Sequence, residues 1–512
     1  MAVQTLRLVS SFQLIQLPVI SYLDLTCNFN QLVLKTMKIN KLYIALMFTA
    51  GIALQSCKDN NFLDVPSKEL VEAEDSEEIY TPEQYVNGIY GMFTDWDYSF
   101  SYIGITEMIS DNADKGSSET DAGGDKLSLD NLTYTSTTGS FLSMWARWYK
   151  SIGRATRAIE YTENYGLTDE TYKNRLIAEA RFLRALNYFY LVRGWGDVPI
   201  QERDYIKREP AAEVYAYIEA DLQFAIDNLP IKSAYAAKDL GRATKGAAQG
   251  LLSKVYLYQS KWQQAADMAK TVITSGGYSL EPDYATIWRL AGENGPESLF
   301  EWQARGTSIA HGIQQYSQVQ APRGGAVNLG WGFNIPSQNL LDAFNAEKDN
   351  IRRDATIIFR GETLYDGRLI DNGVENPMYN EKAYSSANGG AADGDKNVRY
   401  LRLGEIYLIL AEAANELGNN SEALTALNIV RTRVKLPNVT TTDQAQLRQL
   451  IWKERRLELA FEHDRWFDLI RTKQAKAAMA ANGKAFQEKM MLFPIPEDQR
   501  IQTPEMSQNT GW

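Results

Sequence analysis

"RATKGAAQGLLSKVYLYQSKWQQAADMAKTVITSGGY", running from Arg242 to Tyr278, decides the fold class. Its first half sets the small residues Ala247, Ala248 and Gly250, then Leu251, Leu252, Val255 and Tyr256, at the spacing of one buried helix face. Ser260 and Lys261 interrupt the pattern, and Trp262, Ala265, Ala266, Ala269, Val272 and Ile273 resume it as a second helix. Two amphipathic helices joined by a short break bury their apolar faces most easily against each other, so the stretch predicts a helical hairpin.

The same layout returns in "YLRLGEIYLILAEAANELGNNSEALTALNIVRTRV", which begins at Tyr400. Sliding one stretch onto the other puts Ser260 on Gly418, Ala265 on Ala423 and Ala266 on Leu424. Small residues at the contact let paired helices approach closely, which resembles tetratricopeptide packing. Further helices are expected in "FLSMWARWYKSIGRATRAIEYTENY", "RLIAEARFLRALNYFYLVRGWGDVPI" and "EVYAYIEADLQFAIDNLP". Between Gly276 and Asn397 the texture changes to Gly, Asn, Asp and aromatics. The expected architecture is therefore a mainly all-α helical scaffold over residues 81–275 and 398–512, with a large loop-rich insertion at 276–397, and such loops on a rigid scaffold are where binding usually sits.

The N-terminal part reads differently. Met37, Lys38 and Lys41 form a basic lead, Leu42 to Leu54 is mostly apolar, and Gln55 and Ser56 precede Cys57, which is the layout of a signal peptide over residues 37–56 and is too short to span a bilayer. A buried core helix would show a repeating polar face here, and none repeats. "LQSC" resembles a bacterial lipobox, making Cys57 the expected lipidation point, with 57–80 as a tether. Lys58, Asp59, Asn60 and Asn61 partly match the lysine-plus-acids export signal of surface lipoproteins in Bacteroidetes-type bacteria. Residues 1–36, which carry Cys27, read as an upstream extension or as sequence that precedes the true start at Met37.

Composition narrows the chemistry. A formal charge of -11 over 512 residues argues against a nucleic-acid partner. Two cysteines and two histidines, His311 and His463, leave few parts for a metal site or a Ser-His-Asp triad, so neither metal nor cofactor is expected. No phosphate-binding P-loop and no G-x-S-x-G motif appears.

"ERRLELAFEHDRWFDLIR", Glu454 to Arg471, and the closing "LFPIPEDQRIQTPEMSQNTGW" together resemble the C-terminal signature of the SusD/RagB family of outer-membrane nutrient-binding lipoproteins. The resemblance extends through "AEARFLRALNYFYLVRGWGDVPI" and the lipobox, hence over essentially all of 37–512. Thr503 stands where an Asn before Pro is common, and Trp512 replaces a closing Tyr. What the resemblance implies is a SusD-like fold with about four tetratricopeptide-like helical hairpins. It further implies a lipid anchor in the cell outer membrane, exposure at the surface, a glycan oligosaccharide as ligand, and a SusC-like TonB-dependent transporter as partner. A peptide-binding member of the same family and a glycoside hydrolase are the competing readings.

The hydrolase reading rests on Glu454, Glu458 and Glu462, which recur every four residues as paired catalytic carboxylates do. Arg455, Arg456, Arg465 and Arg471 are interleaved with them, which favours a salt-bridged helix packed by Leu457, Leu459, Phe461, Trp466 and Leu469, and no catalytic residue is expected. For the ligand, "DWDYSFSYIG" alternates Trp96, Tyr98, Phe100 and Tyr102; alternation describes a half-buried strand, but Asp95 and Asp97 flank Trp96 as expected at a wet surface. In the insertion, "NLGWGFNIPSQNLLDAF" offers Trp331, which either faces a ligand or staples the helix near Pro336, and Trp288 and Tyr316 lie upstream. The expected ligand-binding set is thus Trp96, Tyr98, Tyr102, Trp288, Tyr316 and Trp331, because aromatic faces suit the C–H faces of sugar rings. Asp111 to Asn131 is rich in oxygen ligands but lacks calcium-loop spacing, and reads as a solvated loop.

Overall fold

The computed structural model describes residues 80–118, 120–201, 207–304, 313, 315–386 and 396–512. Cys57, the signal-peptide stretch, the tether and His311 lie outside the described residues.

The fold is mainly α-helical. Helices Gly139–Asn164 and Glu170–Trp195 form the longest hairpin, and Ala211–Asn228 packs onto the second of them. Lys245–Tyr258 pairs with Trp262–Thr274, and Leu403–Glu416 pairs with Asn420–Arg433. The superposition of these two hairpins by sequence holds at the turn itself: Ser260 and Gly418 both adopt left-handed backbone, with φ 55° and 77°. A left-handed residue just past the last turn lets a helix end and the chain reverse. Gly250 is small because a Cβ there would lie 2.6 Å from Leu299 and 3.0 Å from Leu401.

Among the described residues six short strands complete the fold: β1 (Ala113–Gly116), β2 (Ser298–Trp302), β3 (Phe333–Pro336), β4 (Ile357–Phe359), β5 (Met378–Asn380) and β6 (Val398–Arg402). Each pairs antiparallel with one partner, β1 with β3, β2 with β6 and β4 with β5. The β2–β6 ribbon brings the two ends of the loop-rich region together, and helix Trp262–Thr274 packs directly on Leu403–Glu416 across that gap. Ile358, Ile370, Val374, Tyr379 and Tyr384 give the loop-rich region a small core of its own.

Three local expectations are corrected. The aromatic run at 96–102 is a helix, Trp96–Ile103, started by Asp95, whose carboxylate accepts the Asp97 N–H at 3.0 Å. The described part of Asp111 to Asn131 is not a solvated loop, since it contains β1 and helix Gly123–Asp130, and Asp111, Asp121, Asp125, Lys126 and Asp130 are in ion pairs. Buried Asp111 accepts two bonds from Arg465, at 2.7 and 2.8 Å, and is held at about 2 because Arg465 and Arg456 outweigh the opposing effect of burial. Finally, the Glu454–Arg471 stretch is two helices, Gln444–Glu458 and Arg465–Arg471, separated by a turn in which Phe461 and His463 take φ values of 61° and 70°.

Candidate ligand site

Helical periodicity sorts the four aromatics of the Trp96–Ile103 helix onto two faces. Residues four apart share a face, so Trp96 and Phe100 go one way and Tyr98 and Tyr102 the other. Tyr98 and Tyr102 are fully buried, with rings 4.8 and 4.9 Å from Trp302. The Tyr102 hydroxyl lies 2.7 Å from that of Tyr190. Both tyrosines therefore belong to the core and offer no face to a ligand. Trp288 is also interior, at 3% exposure, with Lys382 Nζ 4.2 Å from its ring centroid. Tyr316 is interior too, its hydroxyl 2.8 Å from His463 Nε2. For these four residues the expectation of a ligand-facing ring is overturned by burial.

Trp96 and Trp331 are different. They are 36% and 37% exposed, and their rings lie 5.7 Å apart with planes 60° apart. Phe100 packs on Trp96 at 5.6 Å and on Phe333 at 4.9 Å, and Lys126 Nζ sits 4.3 Å from the Phe100 ring. Trp331 is fixed by backbone rather than by helix: its N–H donates to Gln318 at 2.9 Å, and Gly332 N–H donates to Ala321 at 3.0 Å. Gly330 must be glycine, since a Cβ there would stand 2.0 Å from the Gln318 carbonyl. Ser117 N–H bonds the Gly332 carbonyl at 2.8 Å, so the end of β1 braces the Trp331 loop.

Ion pairs lie next to the segments that carry the two indoles. Arg147 pairs with Asp95 at 2.9 Å and Asp97 at 3.2 Å beside Trp96. Beside Gly332, Arg323 pairs with Asp121 and, at 3.1 Å, with Glu375. Phe100, Arg147, Arg323 and Asp121 were not in the expected site. Phe100 was visible at four residues from Trp96, whereas the ion pairs join distant segments and leave no local trace.

The acidic series that tempts a catalytic reading is sealed. Glu458 is fully buried and bonds Arg352 at 2.9 Å, Arg402 at 2.5 Å and Arg433. Burial alone would raise its pKa, but Arg433, Arg402 and Arg352 outweigh burial and hold it well below the usual carboxylate range. Glu454 bonds Arg352 and Arg431 at 2.7 and 2.6 Å, and Glu462 bonds Arg402 and Lys382, each at 2.7 Å. A general acid needs a raised pKa and access to substrate, and Glu458 has neither.

Residues 296–512 match the family model described as SusD family, and residues 61–257 match one described as Starch-binding associating with outer membrane. The chain belongs to the SusD/RagB family. Among SusD-like relatives, SusD-like protein P2 of Formosa agariphila is 29% identical over 469 residues, covering 83% of this chain and 90% of that protein. The Starch-binding protein SusD of Bacteroides thetaiotaomicron is 26% identical over 428 residues, covering 68% of this chain and 74% of its own. A solved Laminarin binding SusD-like protein superposes with a TM-score of 0.72 at 27% identity, covering 84% of this chain and 99% of its own. The SusD-like helical fold is thus shared along nearly the whole of that solved chain.

Proposed function

We propose that this SusD-like chain is a surface lipoprotein that captures a glycan oligosaccharide on Trp96 and Trp331 and delivers it, chemically unchanged, to a SusC-like TonB-dependent transporter in the outer membrane. The observation that carries the reading is the adjacent exposed indole pair, drawn from two distant segments and locked by the Asp95 cap and the Gly330–Gly332 backbone. Soluble folds bury most of their tryptophan surface, and two half-exposed rings in contact on a rigid frame suit stacking against sugar C–H faces. The names of the starch- and laminarin-binding relatives support the ligand class. Acylation at Cys57 would tether the protein, and two or more acyl chains suffice to hold it at a membrane.

Calorimetric titration of Trp96→Ala and Trp331→Ala with a panel of oligosaccharides tests the site. Each variant is expected to lose about 1–3 kcal/mol of binding free energy, the value of a large apolar contact, while its melting temperature stays near that of the parent. Unchanged affinity in both variants, or selective binding of peptides instead of sugars, overturns the reading. Cys57→Ala, followed by fractionation with a labelled fatty acid, tests the anchor: label retained on the variant rejects it.

A further inference from the structure

His463 lies in the turn between helices Gln444–Glu458 and Arg465–Arg471, far in sequence from both indoles, and its ring is buried. The Trp96–Ile103 helix runs on into a π-helical turn, Gly104–Met108, which carries Thr106 and Glu107. Helix Gln315–Gln320 carries Tyr316 and also frames the Trp331 loop, because Gln318 accepts the Trp331 N–H. His463 touches both of these segments. Its backbone N–H donates to Glu107, its Nδ1 lies 2.9 Å from the Thr106 hydroxyl, and its ring centroid is 4.4 Å from that of Tyr102. Its other ring nitrogen, Nε2, lies 2.8 Å from the Tyr316 hydroxyl.

The order of the protons follows from the neighbours. Thr106 Oγ1 lies 2.7 Å from the Tyr102 carbonyl, which has no proton to give, so the hydroxyl donates there and accepts from Nδ1–H of His463. Burial holds the imidazole neutral, pulling its pKa down to about 3, so Nε2 carries no proton and accepts from the Tyr316 hydroxyl. One directional chain of bonds thus runs from Tyr316 through the imidazole and Thr106 to the backbone of the Trp96–Ile103 helix. Asp464, next in sequence, pairs with Arg193 at 2.9 Å and with buried Lys254, which ties the turn to the helical stack. We infer that His463 is a positioning residue of the ligand platform, setting the spacing of Trp96 and Trp331 by pinning the segment that carries each. The inference rests on the glycan-binding reading and adds to it a buried residue that acts through the two rings. Phe100 against Phe333, 4.9 Å apart, also joins the segments, but an apolar contact is non-directional, whereas the imidazole offers one donor and one acceptor at fixed corners. A stacking site gains from rings already held at the bound spacing, since a loose pair must be ordered on binding.

Two indoles 5.7 Å apart couple excitonically in circular dichroism, so their spacing can be read with no ligand present. Trp145 and Trp148 lie 5.4 and 5.8 Å from Trp195 and couple as well, so the platform's share is taken as the part of the spectrum that Trp96→Phe removes. Tyr316→Phe deletes the hydroxyl that His463 Nε2 receives and keeps the ring. It is expected to shrink that share and to weaken binding of the parent's tightest oligosaccharide about threefold or more in calorimetric titration. His463→Asn suits the left-handed backbone and keeps a donor for Thr106, and should behave as Tyr316→Phe does. Tyr284→Phe is the control: it removes a different buried hydroxyl, one that donates to the Glu458 carbonyl at 2.7 Å, and should lower the melting temperature while leaving both signals unchanged. A Tyr316→Phe protein that keeps either the parental indole signal or the parental affinity overturns the inference. Equal losses of both signals in Tyr284→Phe also overturn it, since they would then be a general response to lost stability. If the parent binds no sugar, the glycan reading falls alone, and the indole signal of Tyr316→Phe and His463→Asn still decides whether His463 spaces the pair.

Discussion

The Glu458 cluster and the Trp96–Trp331 pair both gather side chains from distant parts of the chain, but one is closed and the other open. Around Glu458 every charge has its partner inside the protein and no face reaches water. At the indole pair the neighbouring charges are also partnered, yet two apolar rings are left partly uncovered. Density of charge is thus common to both and marks neither as a site. What separates them is the apolar surface left exposed, because uncovered apolar area is what a ligand can gain from.

The contrast is broken most forcefully by opening the closed region. Arg402→Met leaves Glu297, Glu458 and Glu462 short of a buried partner, and the expected loss is about 3–5 kcal/mol of stability, measured by urea unfolding. A variant as stable as the parent would show that the cluster does not hold the fold together. Next comes the two-faced helix. Tyr102→Ala, on the inner face, is expected to cost about 3 kcal/mol, whereas Trp96→Ala on the outer face should stay within about 0.5 kcal/mol. Equal losses would erase the distinction between core and platform.

A pH series sharpens the comparison from below the platform, where Glu107 and His463 meet. Burial pushes Glu107 up to about 8, opposed by the His463 N–H it accepts, and burial pulls His463 down to about 3. A carboxyl with a raised folded pKa contributes stability that is present below its unfolded value of 4.5 and is lost as pH rises to about 8. A histidine with a depressed folded pKa contributes stability that is present above 6.5 and is lost as pH falls toward about 3. Thermal unfolding across pH 5 to 9 should therefore show an alkaline fall on the order of 2 kcal/mol, and Glu107→Gln should flatten that limb while leaving the acid limb in place. An unchanged alkaline limb in the variant would assign the fall to other groups. The smallest effect is expected at the hairpin turns: Gly418→Ala strains a left-handed position by about 1 kcal/mol, and Ser260→Gly relieves one by up to about 1 kcal/mol.

The helical scaffold was legible because its signal is periodic and local: apolar faces repeat within each helix, and Ser260 and Gly418 mark the same turn. The site was legible only in part. Trp96 carried a local sign of exposure in its flanking aspartates, and Trp331 sat among glycines that only a tight loop requires. Tyr98 and Tyr102 misled because a two-residue alternation is also half of a four-residue helical spacing, and the Asp95 cap that settles the matter resembles ordinary surface polarity. Trp288 and Tyr316 had nothing but proximity in sequence to recommend them. The break between Glu458 and Arg465 was hidden because it uses Phe461 and His463, not glycine, in left-handed backbone. Arg323 and Asp121 meet across 202 residues, a distance at which no pattern in the chain announces a pair.

The β2–β6 ribbon has a consequence for how such a molecule can diversify. Because the strands that open and close the loop-rich region lie side by side, and the flanking helices already touch, that region is a cassette whose chain enters and leaves the helical stack at one place. Lengthening one of its loops adds only the slowly growing entropy of a longer closed loop, whereas exchanging the region whole would also take Arg352 and Lys382 away from buried Glu458 and Glu462. The cassette is not wholly self-contained, since β1 pairs with β3 inside it. A graft that carries a new binding preference onto this scaffold would have to bring the β1 segment along with the loops, as two pieces of one transplant.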